Sequence, residues 1–144
     1  TGWFLGGLCE ILQTFPQNNM HRQFYQDLFI TLSDRIIQLQ GKDGYWHASL
    51  LDPDSYPSPE TSATGFIVYA LAYGVNEGLL DKATFMPAIE KGWKALVKAV
   101  EKNGKLGYVQ PIGADPKKVT REMTEVYGVG AFLLAGNQIY KMAK

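Results

Sequence analysis

The 144-residue chain carries 14 basic and 14 acidic residues and is 46% hydrophobic, enough for one globular unit that buries about two-thirds of its unfolded surface. Balanced charge without a run of one sign excludes the electrostatic footprint of a nucleic-acid binder, and the single Cys9 excludes an internal disulfide and a thiolate metal cluster. No apolar run approaches the ~20 residues of a membrane span, and no basic stretch followed by an apolar core marks a signal peptide, so a cytoplasmic protein is expected, with the periplasm as the alternative.

Trp3, Phe4, Leu5, Leu8, Ile11, Leu12 and Phe15 recur at helical spacing and stop at Pro16, which predicts a first helix over 2–15 with Cys9 as buried packing. Phe24, Leu28, Phe29, Leu32, Ile36 and Leu39 form a stripe opposite Gln26, Asp27, Ser33 and Gln40, an amphipathic helix over about 20–40. Residues 62–73 are apolar nearly all round, predicting a helix covered on more than one side and ended by Gly74. A fourth helix, about 84–102, is again amphipathic, with Ile89, Trp93, Leu96, Val97 and Val100 on one stripe. A fifth, about 122–142, mixes Gly128, Gly130, Ala131 and Gly136 with Phe132, Leu133, Leu134 and Ile139.

Helices one, three and five are thus rich in glycine and alanine and apolar on most sides, whereas two and four have a wet face. Inner and outer layers are predicted. Gly2-Trp3-Phe4-Leu5, Gly65-Phe66-Ile67-Val68 and Gly130-Ala131-Phe132-Leu133 repeat the same pattern, and Lys42-Asp43-Gly44-Tyr45-Trp46 is answered by Lys102-Asn103-Gly104-Lys105-Leu106-Gly107-Tyr108. A period of roughly 60 residues carrying two helices is the signature of a toroid or solenoid, in which no repeat buries its apolar face alone. Glycine inside a helix costs about 1 kcal/mol relative to alanine, and close approach of neighbouring inner helices is the reason to keep it. Five helices leave inner-helix surface without a partner at both ends. The chain is therefore expected to be the C-terminal part of a larger double-layered α barrel, residues 1–144 forming one portion of it, with the missing half supplied in cis or by another chain.

Inner helices of such a ring run parallel, so their N-termini collect on one face. The connection 41–62 leads from an outer to an inner helix and is crowded with aromatic, carboxylate and hydroxyl side chains, the chemistry of sugar-binding clefts. Glu60, Thr61 and Ser62 fit N-terminal capping, while Glu60 is also suited to accept sugar hydroxyls. Trp3, Tyr45, Trp46, Tyr56 and Tyr108 offer flat apolar faces either to a sugar or to packing beneath a loop. His47 is suited to proton transfer or to donating to a carboxylate, or is simply solvated. His21 reads as structural. Asp43, Asp52, Asp54, Glu60 and Glu125 lie near inner-helix starts, but no pair stands out as the two carboxylates of an ordinary glycosidase, and Asp52 and Asp54 fit turn chemistry. There is no His/Cys metal spacing, phosphate-binding glycine loop or Gly-x-Ser-x-Gly elbow.

The stretch 43–62, Tyr69-Ala-Leu-Ala-Tyr-Gly-Val-Asn-Glu-Gly-Leu-Leu80 and Val126-Tyr-Gly-Val-Gly-Ala-Phe-Leu-Leu-Ala-Gly136 resemble glycoside hydrolase family 105, the unsaturated rhamnogalacturonyl hydrolases, relatives of the family 88 unsaturated glucuronyl hydrolases. The resemblance spans essentially the whole chain. It implies an all-α, six-hairpin (α/α) barrel of which these are about the C-terminal five helices. It also implies a reaction in which an aspartate protonates the C4=C5 double bond of an unsaturated uronic acid while water adds at C5, with no metal or organic cofactor. That aspartate lies upstream of the Asn-Gly-Trp-like motif which Thr1-Gly2-Trp3 continues, with Thr1 in place of Asn, so no aspartate of this chain inherits the role. Trp3 carries over to the sugar, and Trp46, His47, Glu60 and Ser62 to the cleft rim, with an oligosaccharide as the partner. The implied function is hydrolysis of rhamnogalacturonan-derived unsaturated uronyl oligosaccharides, as in pectin degradation, with the isolated chain inactive. The alternatives are a non-catalytic sugar-binding or interaction module, and another α/α toroid enzyme such as a polysaccharide lyase or sugar epimerase.

Overall fold

A computed structural model describes residues Thr1–Lys144. Its regular structure is five α-helices, α1 (Gly2–Thr14), α2 (Arg22–Ile37), α3 (Thr61–Asn76), α4 (Lys82–Ala99) and α5 (Val126–Met142), with a 3-10 turn at Pro116–Lys118. The fold is all-α, as read from the sequence. Local chemistry explains the ends. Phe15 before Pro16 is extended, as the proline ring demands of its predecessor, and closes α1. Asp81 caps α4 by accepting from Thr84 N (2.8 Å) and Thr84 Oγ1 (2.7 Å). Three boundaries differ from expectation. α3 runs through Gly74 to Asn76, because this glycine makes room for packing: a Cβ there would lie 2.6 Å from Leu80 and 2.8 Å from Phe29. α4 stops at Ala99 because Val100 turns extended and pairs with Leu106, and α5 starts only at Val126, behind Glu125.

α3 is the hub of the molecule, packed on one side by α1, on the other by α5 and from outside by α4, while α2 covers α1. The inner layer is thus α1–α3–α5 and the outer layer α2 and α4, as the alternation of composition predicted. The core that joins the layers includes Leu5, Leu12, Phe29, Ile67, Leu71 and Ile89, all essentially inaccessible to water. Small residues set the inner spacing. A Cβ on Gly2 would meet the Ala63 carbonyl oxygen at 2.7 Å, and one on Gly65 would meet Ala131 Cβ at 2.9 Å. Gly130 holds the same place in the third repeat, and nothing lies within 4 Å of its Cβ position. Large apolar side chains stay exposed on the first and last helices of the layer, among them Phe4 (54%) on α1 and Leu133 (62%) and Tyr140 (61%) on α5.

The echoing connector sequences form the same turn. In the first, Gly41 N donates to Tyr45 O (2.8 Å), Gly44 N to Gly41 O (3.0 Å) and Tyr45 N to Asp43 Oδ1 (3.2 Å). In the second, Glu101 N donates to Lys105 O (2.8 Å), Gly104 N to Glu101 O (2.9 Å) and Lys105 N to Asn103 Oδ1 (3.0 Å). Each turn needs a left-handed residue at its tip, and Gly44 (φ 96°) and Gly104 (φ 85°) supply it without a Cβ penalty.

Buried phenols make the fold sensitive to alkali. Burial, with Asp43 nearby, pushes Tyr45 up to about 12, and burial, with Glu77 nearby, does the same to Tyr73. Burial and the hydrogen bond to Glu10 raise Tyr69 as well. A phenol titrates near 10 in the unfolded chain, so the unfolded state releases these protons first. The stability they contribute is complete below about pH 10 and is lost as the pH rises toward about 12. Circular dichroism and tyrosinate absorbance, followed together from pH 9 to 12 at about one-half-unit steps, are expected to change in one cooperative step.

Candidate functional site

The N-termini of α1, α3 and α5 open onto one cleft of about 560 Å³, walled by the connector 41–60 on one side and by residues 110–116 on the other. Parallel inner helices therefore bring their positive ends to a single face. Glu60, the N-cap of α3, lies at the floor, 5% exposed. Its Oε1 accepts from Ser62 N (3.1 Å) and Ser62 Oγ (2.8 Å), and its Oε2 from Ala63 N (2.6 Å). Both oxygens are thus engaged by the helix start, and the capping reading of Glu60 holds. Ser62 is buried, donates to Glu60 and lines the cleft beside it. Thr61 joins the two walls at their base, its N donating to Tyr108 O (3.0 Å) and its Oγ1 to Gly107 O (2.9 Å).

Trp3 lines the cleft from the first turn of α1, its ring 4.5 Å from Phe66 and 5.7 Å from Tyr127, inclined at 52° to the latter. Trp3 and Tyr127 form an open aromatic corner. His47 lines the opposite wall, with Nδ1 3.1 Å from Ser58 O and Nε2 3.4 Å from Asp43 Oδ1. Trp46 is different from what its neighbourhood in the sequence suggested. It has no exposed surface and does not line the cleft: Nε1 donates to Ile36 O (2.7 Å), the backbone N donates to Thr64 Oγ1 (3.1 Å), and the ring packs over Gly92. The turn at Gly44 aims Tyr45 and Trp46 inward, and both become core, with the Tyr45 hydroxyl donating to Ala95 O (2.8 Å). Asp52 shapes its loop through Ser49 and Ser55.

The sequence reading missed the second wall. Gln110, Pro111, Ile112, Gly113 and Pro116 face the cleft, and Tyr127 holds them by donating its hydroxyl to Gln110 O. Burial, then Glu125 and Glu60, raise the Tyr127 phenol above its ordinary value, which keeps it a donor. A signal was present. One repeat after Glu60 and Ser62 stand Glu125, the N-cap of α5, and Tyr127, so the period that located the first wall also locates the second.

Residues 1–143 match the family model described as Glycosyl Hydrolase Family 88. An unsaturated 3S-rhamnoglycuronyl hydrolase of Formosa agariphila is 45% identical over 141 residues, 98% of this chain but 37% of that protein. Among solved structures, a polysaccharide lyase is 44% identical with a TM-score of 0.95, and a family 88 glycosyl hydrolase from Bacteroides vulgatus is 34% identical with a TM-score of 0.86. This chain covers 99% and 96% of itself in those two matches and 41% of each solved chain. It therefore spans about two-fifths of the length of the relatives it matches. More distant solved members of family 105 share the fold, a segment of an (α/α) barrel. The repeat, the double layer and the cleft at the inner-helix N-termini accordingly have one explanation, and the chain belongs to Glycosyl Hydrolase Family 88.

Proposed function

We propose that the chain forms one wall of the substrate cleft of an unsaturated-uronyl hydrolase, with Trp3, His47, Glu60 and Ser62 facing the sugar and the proton donor on helices outside these 144 residues. The carrying observation is the aromatic corner formed by the exposed Trp3 and the half-buried Tyr127, which line the same cleft as the capped Glu60. Exposed aromatic rings beside a polar floor are what the apolar faces and hydroxyl edges of a sugar require. The free flanks of α1 and α5 take the remaining inner helices of the barrel, in cis or from a second chain, in this reading. Glu60 is unsuited to deliver a proton, because both of its oxygens already accept hydrogen bonds from α3. The 45% identity to an unsaturated 3S-rhamnoglycuronyl hydrolase supports the reading.

Ultraviolet absorbance tests it. Hydration of the C4=C5 double bond removes the chromophore of an unsaturated uronyl-rhamnose disaccharide, and the barrel that contains this chain is expected to bleach it while the isolated chain binds without turnover. Robust turnover by the isolated chain defeats the placement of the proton donor. Trp3→Ala is expected to weaken disaccharide binding at least tenfold, about 1.4 kcal/mol, with stability changed by less than about 0.5 kcal/mol because the ring is mostly exposed. A second reading is a lyase, favoured by the solved polysaccharide lyase at 44% identity. The sign of the absorbance change separates the two, since elimination from a polymer creates the double bond that the hydrolase consumes.

A further inference from the structure

The second wall of the cleft is built as a separate piece. It leaves the fold at Val109 and returns at Val119, both buried, and no side chain from Gln110 to Lys118 is buried between them. The exit is pinned. Tyr108 stands in the left-handed region (φ 58°), which a bulky residue keeps only where its surroundings impose it; here Thr61 N donates to Tyr108 O (3.0 Å) and Val109 N to Met123 O (3.1 Å). Beyond the exit the segment braces itself. Gln110 Nε2 donates to Ala114 O (3.0 Å), Ala114 N to Pro111 O (3.1 Å), Lys117 N to Asp115 Oδ1 (3.0 Å) and Lys118 N to Asp115 O (3.0 Å). Two polar contacts tie this piece to the rest of the molecule. Tyr127 donates its hydroxyl to Gln110 O from α5, and the Lys117 ammonium lies 5.1 Å from the centre of the Tyr56 ring on the opposite wall.

We propose that residues 110–118 are a hinged lid on the cleft, latched by Tyr127 on the α5 side and by the contact of Lys117 with Tyr56 on the other, so that ligand entry and exit both wait on release of the latch. The proposal rests on the sugar-cleft reading for what passes the lid, whereas the latch stands on the contacts alone. A braced segment with no buried side chain swings as a unit, because nothing in it has to leave a core. Gln110, Pro111, Ile112, Gly113 and Pro116 line the cleft, so an outward swing removes one of its walls. Tyr127 is a positioning residue in this device, acting on the lid through the Gln110 carbonyl. A neutral hydrogen bond and an exposed cation–π pair are both weak ties, and loss of either should raise the open population about fivefold.

Limited trypsin digestion reads the latch, because the exposed Lys118 stands where the lid returns to the fold. Cleavage after Lys118, followed by mass spectrometry, is expected to run about fivefold faster in Tyr127→Phe and in Tyr56→Leu than in the unaltered chain, at an unchanged melting temperature. Stopped-flow tryptophan fluorescence with an unsaturated uronyl-rhamnose disaccharide reads the gate. In Tyr56→Leu, whose ring lies outside the cleft lining, association and dissociation should both quicken about fivefold and leave the dissociation constant where it was. A wall that only contributes contacts would change dissociation alone. Either variant carries the proteolysis test if circular dichroism shows the other to be unfolded. Unchanged cleavage after Lys118 overturns the latch, and faster cleavage with an unchanged association rate overturns the gate. Failure of the unaltered chain to bind the disaccharide overturns the sugar-cleft reading, while the trypsin result still decides the latch.

Discussion

Trp46→Ala is expected to lower stability by about 3–5 kcal/mol, the usual cost of removing a buried indole, and to lower the melting temperature by roughly 10 °C or more for a chain of this size. Trp46 is fully buried, and its ring nitrogen donates to Ile36 O at the end of α2, an oxygen that also accepts from Leu39 N. Truncation removes that hydrogen bond and opens a void against Gly92. A domain is stable by only about 5–15 kcal/mol, so the variant should unfold at much lower urea. Urea denaturation followed by far-ultraviolet circular dichroism measures this. An unchanged midpoint accompanied by lost sugar binding would return Trp46 to the cleft.

Gly65→Val and Gly130→Val are expected to differ sharply although the two glycines occupy the same place in successive repeats. At Gly65 the new side chain meets Ala131 Cβ at 2.9 Å and the Ala131 backbone at 3.1 Å, and backbone does not yield as a flexible side chain does. Separating α3 from α5 should cost about 1–3 kcal/mol. At Gly130 there is open space, so valine should be neutral or stabilise the chain by about 0.5 kcal/mol through helix propensity. Thermal unfolding of both variants gives the comparison. The barrel reading adds an inversion: where the remaining inner helices are present, Gly130→Val should become as damaging as Gly65→Val, because the next helix then approaches as closely as Ala131 approaches Gly65. Equal effects in both settings would mean that no inner helix packs on this flank.

Much of the architecture was legible because periodicity and composition report the environment directly. A helix wet on one side, such as α2, keeps polar residues there, and a helix covered on most sides, such as α3, does not. The face that holds the cleft followed from the direction of the inner helices alone, and the cap at Glu60 from its place before Thr61 and Ser62. What failed to show was the direction of side chains in connectors. Trp46 and His47 are neighbours in the same aromatic, polar stretch, yet one is core and the other lines the cleft, since the left-handed tip at Gly44 decides the direction and its effect three-dimensionally has no period. Gly74 misled in a different way. Glycine ends helices and also lets helices approach, and only the proximity of Phe29 and Leu80 distinguishes the two uses. The wall at 110–116 was overlooked because, Gln110 apart, the residues that face the cleft are proline, glycine and isoleucine, which act by shape.

The twin turns at the base of the two connectors have a consequence for how this cleft diversifies. Each wall starts from the same rigid five-residue socket, and both walls are tied at the foot of α3 by Thr61. Beyond those anchors, residues 51–57 on one side and 112–118 on the other contain no buried side chain and are free to lengthen, shorten or change identity without moving the helices. Doubling a loop costs only about 0.6 kcal/mol of closure entropy. Such a division lets selection rewrite substrate preference in the rims while the scaffold inherits none of the risk.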